Sequence, residues 1–75
     1  MKLREITDGS EYAVFSVECN GKLKKRLSDM GLYEGAKVTL HGKSPFGDPL
    51  SFFVGGTVIA VRKSDCDKIF VEKIK

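Results

Sequence analysis

Along most of the chain, apolar and polar positions alternate with a period of two; a helical period appears clearly at one place only. Period two predicts extended strands with one face buried, because successive side chains of a strand point to opposite sides. Five such stretches stand out: Tyr12–Glu18, Lys37–His41, Leu50–Val54, Thr57–Arg62 and Ile69–Ile74. Between the first two, Leu23, Leu27 and Met30 recur at i, i+4 and i+7, which puts them on one side of a short helix. Asn20 is a natural N-cap for it. Gly31 suits the left-handed residue that ends a helix, with Leu32 packing back on Leu27. Glu34-Gly35 fits the middle of a turn with positive φ at the glycine. The chain thus turns a corner from helix to strand between Leu27 and Val38.

The connections are short and carry their own signals. Gly55-Gly56 between two β-rich runs predicts a two-residue hairpin, since a type I′ turn needs positive φ twice. Gly42 to Pro49 forms a turn-rich loop that holds both prolines of the chain. Thr7 to Ser10 is a turn cluster, Leu3 and Ile6 suit one helical turn or an extended lead-in, and Lys63 to Asp67 suits one capped helical turn, with Ser64 and Asp65 as caps. Five strands and one helix of about three turns suit one domain over residues 1–75, an all-β fold built as a small five-stranded barrel, which economically removes exposed edges. Its expected filling is Phe15, Val17, Val38, Leu40, Phe52, Val54, Val58, Ala60, Ile69 and Val71, with the helical Leu23, Leu27 and Met30 over one open end. A domain this short buries only ~60–65% of its unfolded surface, so modest stability is expected.

Composition narrows the class of function. With 41% hydrophobic and 31% charged residues the chain reads as a folded soluble domain, not a disordered tail. No apolar run approaches the ~20 residues of a membrane span, and the start lacks a signal-peptide core. A cytoplasmic location is expected, with Cys19 and Cys66 as free thiols. The net charge of +3 permits an acidic partner without requiring one.

Candidate chemistry is sparse. The single histidine, His41, falls on the outward face of a strand, and neither cysteine belongs to a metal-ligand spacing. Asp65 and Asp67 flank Cys66 but do not make a cation site. Gly55-Gly56 lacks the lysine and following helix of a phosphate loop. An enzyme is not expected, nor is a cofactor or resident metal. Two surfaces remain. Lys22, Lys25 and Arg26 share a helix face, a candidate nucleic-acid patch; no aromatic is interleaved to stack on bases, and a solvated face with an Arg26–Asp29 pair is the favoured alternative. The loop Ser44-Pro45-Phe46-Gly47-Asp48-Pro49 presents an apolar tip on a proline-bounded turn, of the kind that anchors in a partner; folding back over the barrel mouth is the alternative.

The sequence Leu27-Ser28-Asp29-Met30-Gly31-Leu32-Tyr33-Glu34-Gly35-Ala36-Lys37-Val38, followed by Ser44-Pro45-Phe46-Gly47-Asp48-Pro49-Leu50, resembles the FeoA family of ferrous-iron transport accessory proteins. The resemblance extends over the whole chain, from Leu3-Arg4-Glu5-Ile6 to Val58-Ile59-Ala60-Val61-Arg62. It implies an SH3-like barrel that acts in bacterial ferrous-iron uptake by binding FeoB, a membrane transporter with a cytoplasmic G-protein domain. A related domain at the C-terminus of iron-dependent repressors leaves direct Fe²⁺ sensing as an alternative. On the leading reading, Met30, Leu32, Tyr33 and residues Ser44 to Pro49 form one docking surface.

Overall fold

The structure is a computed structural model, and it describes residues 1–74. A 3₁₀ turn at Leu3–Glu5 leads into β1 (Glu11–Val17), which is followed by α1 (Gly21–Asp29) and β2 (Lys37–Lys43). Strands β3 (Leu50–Val54) and β4 (Thr57–Val61), the short helix α2 (Lys63–Cys66) and β5 (Ile69–Lys73) complete the chain. All five strands join one antiparallel sheet in the order β4-β3-β2-β1-β5, with the helix between the first two strands as expected. The ladder leaves β4 and β5 as its edges. Irregularities after Val14 in β1 and after Leu40 in β2 break the register, and such breaks bend a strand and increase its twist. The inner faces thereby converge on one core of which Leu3, Leu27, Phe52, Ile69 and Val71 are fully enclosed members.

The first corner follows local rules closely. Gly31 has φ 102°, its N–H donates to Ser28 O at 3.0 Å, and the Leu32 N–H donates to Leu27 O at 2.8 Å. This is the paired bonding of a Schellman stop, and Leu32 and Leu27 are both buried. Asn20 stands at the N-cap position without a side-chain capping bond, so it contributes extended backbone and not the predicted acceptor. The Ala36 N–H then closes on Tyr33 O at 3.0 Å, with Gly35 at φ 94°. The same turn is sewn to β1 through Gly35 N–H to Val14 O and Val14 N–H to Ala36 O. Gly55 and Gly56, at φ 57° and 83°, make the two-residue hairpin between β3 and β4.

The predicted core needs three corrections. Phe15, Val58 and Ala60 point outward, and Tyr12, Val14 and Val61 are buried in their stead. In β1 the irregularity between Val14 and Ser16 shifts the alternation, so that Val14 and Val17 are both buried although three positions separate them. In β4 the hairpin decides. Val54 pairs with Thr57, Phe52 with Ile59 and Leu50 with Val61, and paired residues share a face. Phe15 lies beside Phe70 on the outer surface with ring centroids 6.3 Å apart.

Candidate functional site

The helix stop at Gly31 brings chain segments into unusually close approach. A Cβ built on Gly31 would stand 2.9 Å from Cγ1 of Val54, so the corner rests on β3 at a distance only glycine permits. Beside that contact lies an open groove of about 610 Å³, lined by Met30, Tyr33, Val54, Thr57 and Ile59, with Asp29 and Lys37 at its margins. Tyr33 is half exposed and Met30 partly buried against the core. Leu32 differs from the expected docking residue. It is 1% exposed and supports the corner from beneath, because its position after Gly31 turns it back onto Leu27.

The Ser44–Pro49 loop is a separate structure. Gly47 N–H donates to Ser44 O at 2.9 Å, closing a turn with Pro45 and Phe46 at its centre. Ser44 Oγ both accepts from Asp48 N–H at 2.9 Å and donates to Asp48 O at 2.6 Å, and Ser44 N–H reaches Pro49 O at 3.2 Å. The Asp48–Pro49 peptide bond is cis. Phe46 projects from this laced turn with 95% of its surface exposed, so it does not fold over the barrel mouth. Asp48 also reaches beyond the loop. Its Oδ1 accepts from the backbone N–H of Lys63 at 3.0 Å and so caps α2 from across the fold. Ser64 and Asp65 are not the caps; the cap position is Arg62, which forms no side-chain bond.

These two surfaces do not form one continuous site. Leu50 starts β3 beside the loop, paired with Lys43 and Val61, whereas Val54 ends β3 beside Gly31. Four residue steps of strand separate them by ~13 Å. Tyr33 therefore sits at one end of the β3–β4 hairpin, Met30 lies between that groove and a second cavity beside Val61 and Arg62, and Ser44, Pro45, Phe46, Gly47, Asp48 and Pro49 stand at the other end. The single docking surface expected from the sequence divides into a groove and a protruding tip.

The basic helix face is partly neutralised. Lys25 Nζ lies 3.5 Å from Asp29 and Arg26 3.5 Å from Asp65, so the expected Arg26–Asp29 pair is replaced by two others. Asp29 lies one turn from Lys25, and α2 delivers Asp65 to the flank of α1. Of Lys22, Lys25 and Arg26, only Lys22 lacks a carboxylate partner among the described residues. His41 is exposed. Among the described residues, no group of three or more His, Cys, Asp or Glu side chains is placed to hold a metal ion. Both cysteines are free; Cys66 is fully buried, and desolvation, reinforced by Asp65, Asp67 and Asp48, pushes its thiol up to about 12. No helix of the described residues is long and apolar enough to cross a membrane.

One exposed feature escaped the sequence reading. Phe53 and Val58 are cross-strand partners on the outer face of the β3–β4 hairpin, each nearly half exposed. The signal was present. A two-residue turn at Gly55-Gly56 forces residue 53 opposite residue 58, and the burial of Phe52 sends both to the other side.

Comparison with known proteins gives this geometry a family. Residues 1–73 match the FeoA domain family. A fusion protein of Porphyromonas gingivalis, Fe(2+) transport protein A joined to Fe(2+) transporter FeoB, is 31% identical over 74 residues. The match takes in 99% of this chain and 9% of that protein, so the chain spans a small part of its curated relative. The solution structure of iron(II) transport protein A from Clostridium thermocellum superposes with a TM-score of 0.94 at 31% identity, over 99% of this chain and 46% of that one. FeoA of Stenotrophomonas maltophilia, a prokaryotic SH3 domain protein solved with zinc, gives 0.80 at 32% identity, covering 96% and 89% of the two chains. The five-stranded sheet with its inserted helix is therefore an SH3-like fold, and the chain belongs to the FeoA family of ferrous-iron transport proteins.

Proposed function

We propose that this chain is an accessory protein of ferrous-iron uptake that works by binding the cytoplasmic part of a FeoB-type membrane transporter. The observation that carries the reading is the fusion relative, in which a segment matching 99% of this chain is joined to such a transporter in one polypeptide. Covalent linkage replaces a bimolecular encounter by a local concentration in the millimolar range. A separate chain with the same role needs a surface with its own affinity, and the groove beside Gly31 is suited to supply it. Met30, Ile59 and Val54 offer apolar floor and walls, and Tyr33 adds a half-exposed aromatic with a polar end, the residue type enriched at binding hot spots. The neighbouring Asp29 and Lys37 would fix the register of a bound segment. Iron is handled by the partner on this reading, and the chain itself holds neither cofactor nor catalytic group.

The test is a titration of isotope-labelled chain with the transporter's cytoplasmic domain, followed by NMR. Amide shifts concentrated at Met30, Tyr33 and Ile59, and at least tenfold weaker binding by Tyr33→Ala, are the expected result. Unchanged affinity in Tyr33→Ala and Met30→Ala would move the interface elsewhere. No binding by the parent chain would remove the partnership.

A further inference from the structure

The groove leaves unexplained the most exposed apolar side chain of the protein. Phe46 stands at the apex of a convex turn, 95% exposed, with the exposed Pro45 and Pro49 flanking it. The turn is held by four hydrogen bonds between Ser44 and residues 47–49, so the ring is presented in a fixed place. Two exposed lysines adjoin its base. Lys43 immediately precedes the turn and pairs with Leu50. Lys63 is fastened to the loop through Asp48. Neither lysine forms an ion pair among the described residues, whereas Arg4, Lys25, Arg26 and Lys73 do. The only carboxylate inside the loop, Asp48, is engaged as the cap of α2.

We infer that the Phe46 turn is a membrane-surface anchor: the ring and its flanking prolines enter the headgroup region of an anionic bilayer while Lys43 and Lys63 meet lipid phosphates. Charge complementarity and shape select this occupant. A single protruding aromatic flanked by lysines matches a soft, negatively charged interface, where apolar burial and attraction to anionic lipid add together. A protein pocket large enough for the tip would have to bury these cations too, or supply several carboxylates for them. The anchor is independent of the groove, which lies at the other end of the hairpin and stays open to a protein partner. Its contribution is reversible binding that orients the domain on the membrane.

The chain contains no tryptophan, so Phe46→Trp places a lone reporter at the apex. Full-length chain is mixed with large vesicles of phosphatidylglycerol and phosphatidylethanolamine, and separately with vesicles of phosphatidylcholine alone. The expected result is a blue shift of the Trp emission, and quenching by shallow brominated lipid, with the anionic vesicles only. In parallel co-sedimentation of the unlabelled chain, Lys43→Ala and Lys63→Ala each weaken binding about fivefold, and Phe46→Ala about tenfold. Lys22→Ala, at the start of α1, leaves it unchanged. Three outcomes overturn the proposal: no shift with anionic vesicles, binding that survives Phe46→Ala undiminished, or a shift evoked by the transporter's cytoplasmic domain without lipid. The last would make the tip a protein-docking residue, and the first two leave the Tyr33 groove untouched.

Discussion

Replacing Gly31 by alanine tests how the corner is built. Two effects oppose the alanine. Positive φ costs an L-residue ~1–2 kcal/mol, and the new methyl would stand 2.9 Å from Val54 Cγ1, an overpacking that typically costs ~1–3 kcal/mol. Loss of glycine from the unfolded chain returns ~0.4–1 kcal/mol. Gly35→Ala is the internal control, because Gly35 also has positive φ, 94°, but nothing lies within 4 Å of its Cβ position. Strain and unfolded-state terms are then similar, and the difference between the two variants isolates the Val54 contact at ~1–3 kcal/mol. Against a total stability on the order of 4–11 kcal/mol for 75 residues, that difference is large. At ~4–8 °C per kcal/mol it lowers Tm by roughly 8–16 °C for a midrange value.

Urea denaturation of the two variants measures it, and Val54→Ala completes the cycle. Truncating Val54 removes Cγ1 and leaves Cβ at 3.8 Å, an ordinary contact. The double variant Gly31→Ala/Val54→Ala should therefore lose at least ~1 kcal/mol less than the sum of its parts. Equal destabilisation by Gly31→Ala and Gly35→Ala, or strict additivity in the cycle, would refute the close-approach argument.

Other expectations concern the loop, the thiols and the acid limb. Asp48→Ala should cost ~1 kcal/mol by removing the acceptor of the Lys63 N–H, and Asp48→Asn much less, with faster Lys63 amide exchange as the local sign. A thiol reagent at mildly alkaline pH should label Cys19 in the folded protein and Cys66 only on unfolding, since Cys66 is fully buried with its thiol raised to about 12. Because that folded value lies above the unfolded 9.0, the folded state holds the proton longer, and stability is lost as pH rises from about 9 toward 12; Cys66→Ala should remove that part of the slope in denaturation series against pH. The Asp8 carboxyl is lowered first by the Ser10 N–H, with help from Tyr12 and Lys73. Its contribution is present above its ordinary value of 3.8 and lost as pH falls through the lowered one, so Asp8→Asn should flatten the acid side of the same series.

The corner at Leu27 to Val38 was legible because its signals are local. A glycine after a helical stripe can take the positive φ that ends a helix, which other residues rarely do, and both predicted turns occur at the predicted glycines. The five strands were legible for the same reason, to within a residue or two at their ends. Face assignment was less so. Thr57–Val61 carries almost no polar residue to mark its outer side, and only pairing with β3 tells which of its apolar side chains turn inward. In β1 a register break moves Val14 into the core on the opposite phase from Phe15, and local alternation does not report it.

The candidate surfaces divide along the same line. Residue types alone marked Phe46 as an apolar tip and Met30 and Tyr33 as neighbours of the helix stop. Their separation along β3 comes from strand pairing, as does the capture of Asp48 by Lys63 from fifteen positions away. Phe46 is exposed because the Ser44 hydroxyl laces the turn shut beneath it, and Leu32 is hidden because Gly31 turns the chain back on the helix. Short-range pattern determined the elements and their order, and the motif resemblance pointed to the family. Long-range hydrogen bonding decided which faces meet, since register and close approach are properties of two segments together and cannot be read from either one.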